Sequence, residues 1–226
     1  MSRTVRVPAA RVVRWFDNFA TRHGEASCSV EDGRLVAVAA DASVARASLP
    51  FGREYGGPPD PAAFADAVTE PVSWGLLLVR KGGFAVAVVR GTEVVSSKVG
   101  RRHVQGKTKA GGQSQQRFAR RRDNQARQAY EAAAEHAVRI LTGTGGATPR
   151  LAALVCGGDR SAVDAVLADS RLARLRDLRV EPWLPVPDPR AAEVAQAVQD
   201  GSSASVEIDD SEAGSDRVPV KDDLDR

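Results

Sequence analysis

Apolar residues recur at spacings of three and four between Pro8 and Arg22, at Val12, Trp15, Phe16 and Phe19. That pattern predicts an amphipathic helix with Pro8 in its first turn and Gly24 beyond its end. Two β-rich runs follow, Leu35–Ala39 and Ser43–Leu49, then a loop through Gly56, Gly57, Pro58 and Pro59 and a short helix at Pro61–Val68. The period then changes. Trp74–Arg80, Phe84–Arg90 and Glu93–Lys98 read as three strands joined by Lys81-Gly82-Gly83 and Gly91-Thr92, a β-meander. A polar loop, Gly100–Gly112, leads into a long helix over Ser114–Leu141, with a stripe at Ala126, Ala129, Ala133, Ala137 and Ile140 and a stop at Gly143. Leu151–Cys156 is then expected as a buried strand, Ser161–Ala168 as a helix, Leu178–Pro182 as a last strand and Ala191–Gln199 as a last helix. Meander, helix, strand, helix and strand fit an α/β (α+β) fold with one mixed β-sheet flanked by helices.

Three segments are expected on this reading. Residues 1–70 form a helical and β-rich region packing on the core, 71–199 form the main domain, and 200–226 form a disordered acidic tail rich in Ser, Asp and Glu. No internal repeat is visible. With 226 residues, 42% of them hydrophobic, the chain can bury a core without disulfides. The longest apolar stretches, Trp74–Val79 and Phe84–Val89, fall far short of the ~20 residues of a membrane span. Arg3 and Arg6 are followed by no apolar signal core, and Cys28 and Cys156 allow at most one bridge. A soluble, cytoplasmic monomer is expected.

Charge changes the picture. The chain is +3 overall, yet from Asp200 onward nine acids stand against Arg217, Lys221 and Arg226. The body is therefore strongly basic, and its bases concentrate. Lys98–Arg127 holds ten Lys or Arg and a single acid, Asp123. Solubilising faces intersperse both signs, so this block points to a polyanion, nucleic acid above all.

Most catalytic apparatus is missing. His23, His103, His136 and the two cysteines show no metal-ligand spacing, and no metal or cofactor is expected. There is no Gly-x-Ser-x-Gly elbow and no Walker loop. Gly157-Gly158-Asp159 reads as an ordinary strand-to-helix turn with Asp159 or Ser161 capping. The strands at 35–39, 74–80 and 84–90 contain no Asp or Glu, which argues against a nuclease built on paired metal-binding carboxylates.

What remains is the run Lys107-Thr108-Lys109-Ala110-Gly111-Gly112-Gln113-Ser114-Gln115-Gln116-Arg117-Phe118-Ala119-Arg120-Arg121. Gly111 and Gly112 free the backbone to approach a partner without Cβ clashes. The Gln113 amide beside them both donates and accepts. Lys107 and Lys109 on one side, and Arg117, Arg120 and Arg121 on the other, are placed to hold phosphates, with Arg117 and Arg121 one helical turn apart. A flexible loop capped by Ser114, with a solvated arginine-rich helix behind it, is the plainer reading.

The extended run Gly-Gly-Gln-Ser-x-x-Arg-Phe-Ala-Arg over Gly111–Arg120 resembles the catalytic loop of the archaeal and eukaryotic class 1 peptide-chain release factors. The chain is more closely similar to the Vms-like release factors, peptidyl-tRNA hydrolases of ribosome quality control, in particular their stand-alone actinobacterial branch. The resemblance covers roughly residues 70–190. It implies a ribonuclease-H-like catalytic domain and hydrolysis of the ester between a nascent peptide and its tRNA. It makes Gln113 the catalytic glutamine, with Gly111 and Gly112, and leaves Gln115 as the alternative. It assigns RNA contacts to Lys107, Lys109, Ser114, Arg117, Arg120 and Arg121. The partners implied are the large ribosomal subunit at its peptidyl transferase centre and peptidyl-tRNA. The chain leaves no room for a stop-codon-reading domain, so stop-codon-independent release is expected. A tRNA 3′-end nuclease and a non-catalytic ribosome- or RNA-binding module stay open as alternatives.

Overall fold

The computed structural model describes residues 2–101, 113–143 and 150–210, and for 101 and 113–126 the backbone alone. In chain order the elements are β1 (Ser2–Val7), α1 (Val12–His23), β2 (Ala26–Glu31), β3 (Arg34–Ala39), β4 (Val44–Ser48) and α2 (Pro61–Thr69). Then come β5 (Ser73–Arg80), β6 (Gly83–Arg90), β7 (Glu93–Arg101) and α3 (Gln113–Leu141). After them follow β8 (Ala153–Gly158), α4 (Arg160–Leu167), α5 (Ala173–Arg176), β9 (Arg179–Leu184), α6 (Ala191–Gly201) and β10 (Ala204–Asp209). They divide into two compact units. One runs to Thr69 and resumes at Ser203; the other is Glu70–Ser202.

The second unit is built on the mixed sheet that the strand pattern predicts, in the order β7-β6-β5-β8-β9. β5, β6 and β7 form the antiparallel meander, while β5, β8 and β9 run parallel. The apolar runs of β5 and β6 are buried on both faces, as central strands require. Leu77, Val79, Val86, Val88, Leu154 and Cys156 share one core with Ala133, Ala137, Val138 and Leu141 of α3 and with Val163, Val166 and Leu167 of α4. On the opposite parity, a Cβ at Gly201 of α6 would meet the Trp74 ring at 3.0 Å, so α6 covers the other face. β7 closes the sheet as an edge strand, with Val95 61% exposed and Ser96, Ser97 and Lys98 following it.

The first unit is wholly antiparallel, in the order β1-β10-β4-β3-β2. Register aligns Val5, Val206, Ala47, Leu35 and Val30 in one row across all five strands. Phe16 and Phe19 of α1 and Phe64 of α2 bury against that side of the sheet. Asp60 starts α2, its Oδ2 accepting from Ala63 N–H at 2.8 Å.

Two corrections follow. The expected disorder from Asp200 is overturned for 200–209: Asp200 and Gly201 end α6, and β10 lies between β1 and β4, with Ala204, Val206 and Ile208 buried. The polar residues of that strand, Ser205, Glu207 and Asp209, alternate with them, and strict alternation prevails over a composition that suggests disorder. β1 and β2 also lie where the pattern predicts no strands, both at edges of the sheet, where polar residues are tolerated on either face. The remaining acids of the expected tail, from Glu212 on, lie outside the described residues.

Candidate catalytic loop and nucleic-acid interface

β7 ends at Arg101, paired with Gly83 at the tip of the meander, and the chain re-enters the described structure at Gln113. Lys107, Lys109, Gly111 and Gly112 lie outside the described residues. Gln113 is the first residue of α3, one position earlier than the pattern predicts, and Ser114, Arg117, Arg120 and Arg121 occupy its opening turns. Helical spacing puts Arg117 four residues from both Gln113 and Arg121, and Arg120 three from Arg117. The amino-terminal end of a helix favours anions through its dipole and its unpaired N–H groups.

The carboxyl-terminal half of α3 anchors this assembly. Ala129, Ala133, Ala134 and Ala137 are buried, their small side chains letting the helix lie close on the sheet, and Val138 and Leu141 fill the space beyond. Gly143, at φ 69°, takes the left-handed conformation that ends the helix. Glu135 fixes the outer face through Arg171, whose Nη2 lies 2.5 Å from Glu135 Oε1 and 2.7 Å from Asp169 Oδ2. The hydrogen bonds from Arg171 lower the Glu135 pKa and hold Asp169 at about 2. His136 stacks on Phe84 with ring centroids 5.4 Å apart, and Arg139 Nη2 lies 2.8 Å from its Nδ1. Burial first, then Arg139 and Lys98, push the imidazole pKa down, so the neutral ring accepts from Arg139. Tyr130 of α3 packs half-buried against the same core, and burial first, then Asp159 at the carboxyl end of β8, raise its pKa. From there to Gln113 the helix runs on for about 25 Å at 1.5 Å per residue.

Gly157-Gly158-Asp159 is the turn that the sequence suggests. A Cβ at Gly157 would stand 2.6 Å from the Leu184 carbonyl oxygen, and one at Gly158, at φ 90°, would overlap that of Val79. The glycines serve close strand packing, and Asp159 caps α4 through Ser161, accepting from its Oγ at 2.8 Å. The same turn brings together residues that sequence reading passes over. Lys81 follows β5, Arg160 opens α4, and Trp183 lies on β9, with the Arg160 guanidinium carbon 4.3 Å from the Trp183 ring centroid. Lys81 and Trp183 are more than a hundred positions apart in the sequence, and only the strand order makes them neighbours.

Among the described residues, no group of three or more His, Cys, Asp or Glu could hold a metal ion, and no helix is long and apolar enough to cross a membrane. Cys28 and Cys156 are free thiols, and burial pushes that of Cys156 up to about 12.

Comparison with known proteins adds to these features. No curated protein matches the chain. A solved structure described as an archaeal protein is similar at 16% identity and a TM-score of 0.37, over 71% of this chain and 48% of its own. This chain thus spans about half the length of that structure. A family model, acVLRF1, described as the Actinobacteria/chloroflexi VLRF1 release factor, matches residues 72–207. That match takes in the mixed sheet, the loop and the whole of α3, more than half of the sequence. The chain belongs to the VLRF1 release factor family of Actinobacteria and Chloroflexi.

Proposed function

We propose that the protein is a peptidyl-tRNA hydrolase, which cleaves the ester between a nascent peptide and the 3′ end of its tRNA at the peptidyl transferase centre of the large ribosomal subunit. The observation that carries this reading is the Gly111-Gly112-Gln113 run opening a long, anchored, arginine-bearing helix in a chain of a release factor family. Glutamine has no useful pKa and cannot act as a general base near neutrality. Gln113 works by placement: its backbone N–H stabilises the charge that develops on the reacting centre, and its side chain orients the attacking water. Gly111 and Gly112 let that group enter a narrow RNA-walled site. Lys107, Lys109, Ser114, Arg117, Arg120 and Arg121 hold phosphates around it, and the ribosome and the terminal ribose complete the active site. Release is independent of a stop codon, as ribosome rescue and quality control require, and takes place in the cytoplasm by a monomer.

Sizing both products tests the reaction. Stalled large subunits carrying labelled peptidyl-tRNA are expected to yield free peptide and full-length tRNA. A shortened tRNA would instead identify a nuclease acting at the 3′ end. Tight binding without any cleavage would identify a non-catalytic RNA-binding module.

A further inference from the structure

The carboxyl ends of β5, β8 and β9 carry a second cluster suited to RNA. Trp183 is fixed there: its Nε1–H donates to the Gly158 carbonyl at 3.1 Å, and the half-buried ring backs onto the core. Arg160 lies over that ring at 4.3 Å. Lys81 follows the last residue of β5, two positions after Val79, whose carbonyl accepts from Asp159 N–H at 2.8 Å, so Lys81 stands at the same edge. Arg80 Nη1 donates to the Val186 carbonyl at 2.7 Å and ties the segment after β9 to the end of β5. Three acids adjoin the cluster. Asp159 is engaged as the cap of α4, Glu181 Oε2 accepts from Trp183 N–H at 2.6 Å, and Asp188 lies beside Gly82.

Among the described residues, Lys81 and Arg160 make no ion pair within 4.0 Å, whereas Arg171 and Arg179 are each held by carboxylates. A guanidinium stacked on an indole keeps its N–H donors at its rim and its second face open. Such a plane takes an unstacked base, with a neighbouring ammonium for the phosphate. The topology agrees. β5 hands the chain to β6 on one side, and β8 hands it through α4 to β9 on the other. Carboxyl ends where successive connections diverge in this way are where open sheets receive ligands.

We propose that Lys81, Arg160 and Trp183 form a second RNA contact at the base of the helix that carries Gln113, one that binds a backbone phosphate and an unpaired base. This rests on the reading of the chain as an RNA-directed release factor. Trp183 and Tyr130 pack against the same core, about 25 Å along α3 from Gln113, so the contact engages a different part of the RNA from the catalytic loop.

The test measures binding of the full chain to large subunits carrying peptidyl-tRNA, and to deacylated tRNA alone, across a salt series. Lys81→Glu/Arg160→Glu is expected to bind on the order of tenfold more weakly at 0.1 M salt, with a log–log salt slope shallower by about 1. Arg160→Lys and Trp183→Leu, which keep the charge, are expected to lose several-fold in affinity with the slope nearly unchanged. A deficit with tRNA alone assigns the contact to tRNA, and one seen only with large subunits assigns it to ribosomal RNA. Binding equal to wild type by the folded double variant on both partners overturns the proposal. So does a double variant weakened no more than Arg160→Lys. Peptide release by wild type and Gln113→Ala is followed in parallel. A lost contact with release intact sinks this inference alone; a confirmed contact without release sinks the hydrolase reading alone.

Discussion

Gly158 shows how one residue holds the edge of the second sheet together. It adopts φ 90°, and a side chain there would overlap the Val79 carbonyl, which already accepts from Asp159 N–H at 2.8 Å. Gly158→Ala is expected to cost about 2 kcal/mol of stability, read from the midpoint of urea unfolding. His136 gives a pH signature. Its folded pKa lies below the ordinary 6.5, because burial, Arg139 and Lys98 all disfavour the charged ring. Above 6.5 the ring is neutral folded and unfolded. As pH falls below 6.5 the unfolded chain binds the proton first, and stability declines until the folded pKa is passed. Between pH 7 and pH 5.5 the melting temperature of wild type is expected to fall more than that of His136→Gln, and equal slopes would contradict this. At this scale the proposed catalytic run stands out in the sequence because its residues are contiguous, from Lys107 to Arg121. Lys81, Arg160 and Trp183 were not, since nothing in their local sequence connects them before the strands pair.

The long helix is the element on which the account depends most. Its alanines at 129, 133 and 137 announced a buried stripe, and the structure buries them, with the helix lying against β5, β6 and β7. Ala137 is fully buried, so Ala137→Leu overfills the space between helix and sheet and is expected to cost about 1–3 kcal/mol. Calorimetry of that variant against wild type checks the figure. The mixed sheet was readable for a similar reason: near-continuous apolar runs in β5 and β6 mark strands buried on both faces. β1 and β2 carry half-polar sequences, Ser-Arg-Thr-Val-Arg-Val and Ala-Ser-Cys-Ser-Val-Glu, whose strand character comes from their partners rather than from a local pattern. Propensity alone does not settle such edge strands.

At the scale of the whole molecule, the first unit is closed by a segment from the far end of the described chain. β10 pairs with β1 on one side and β4 on the other, so a five-stranded sheet depends on residues 204–209. Composition concealed this, because Ser, Asp and Glu surround a six-residue alternation. Val206, 1% exposed, stands at the middle of the row from Val5 to Val30. Val206→Asp buries an unpaired carboxylate and is expected to cost at least about 3 kcal/mol. Hydrogen exchange is expected to show the loss of protection first in β1, β4 and β10, with amides of β5, β6 and β8 protected for longer. Early loss in β5 and β6 instead would contradict the division into units.

The central claim is that Gln113, at the opening of α3, acts on the ester of peptidyl-tRNA. Single-turnover release of labelled peptide from stalled large-subunit complexes tests it directly, with wild type, Gln113→Ala and Gln115→Ala compared at saturating protein. Release by wild type and by Gln115→Ala, with a fall of on the order of a hundredfold or more in Gln113→Ala and undiminished binding, is the predicted result. Equal release by Gln113→Ala and wild type would contradict it.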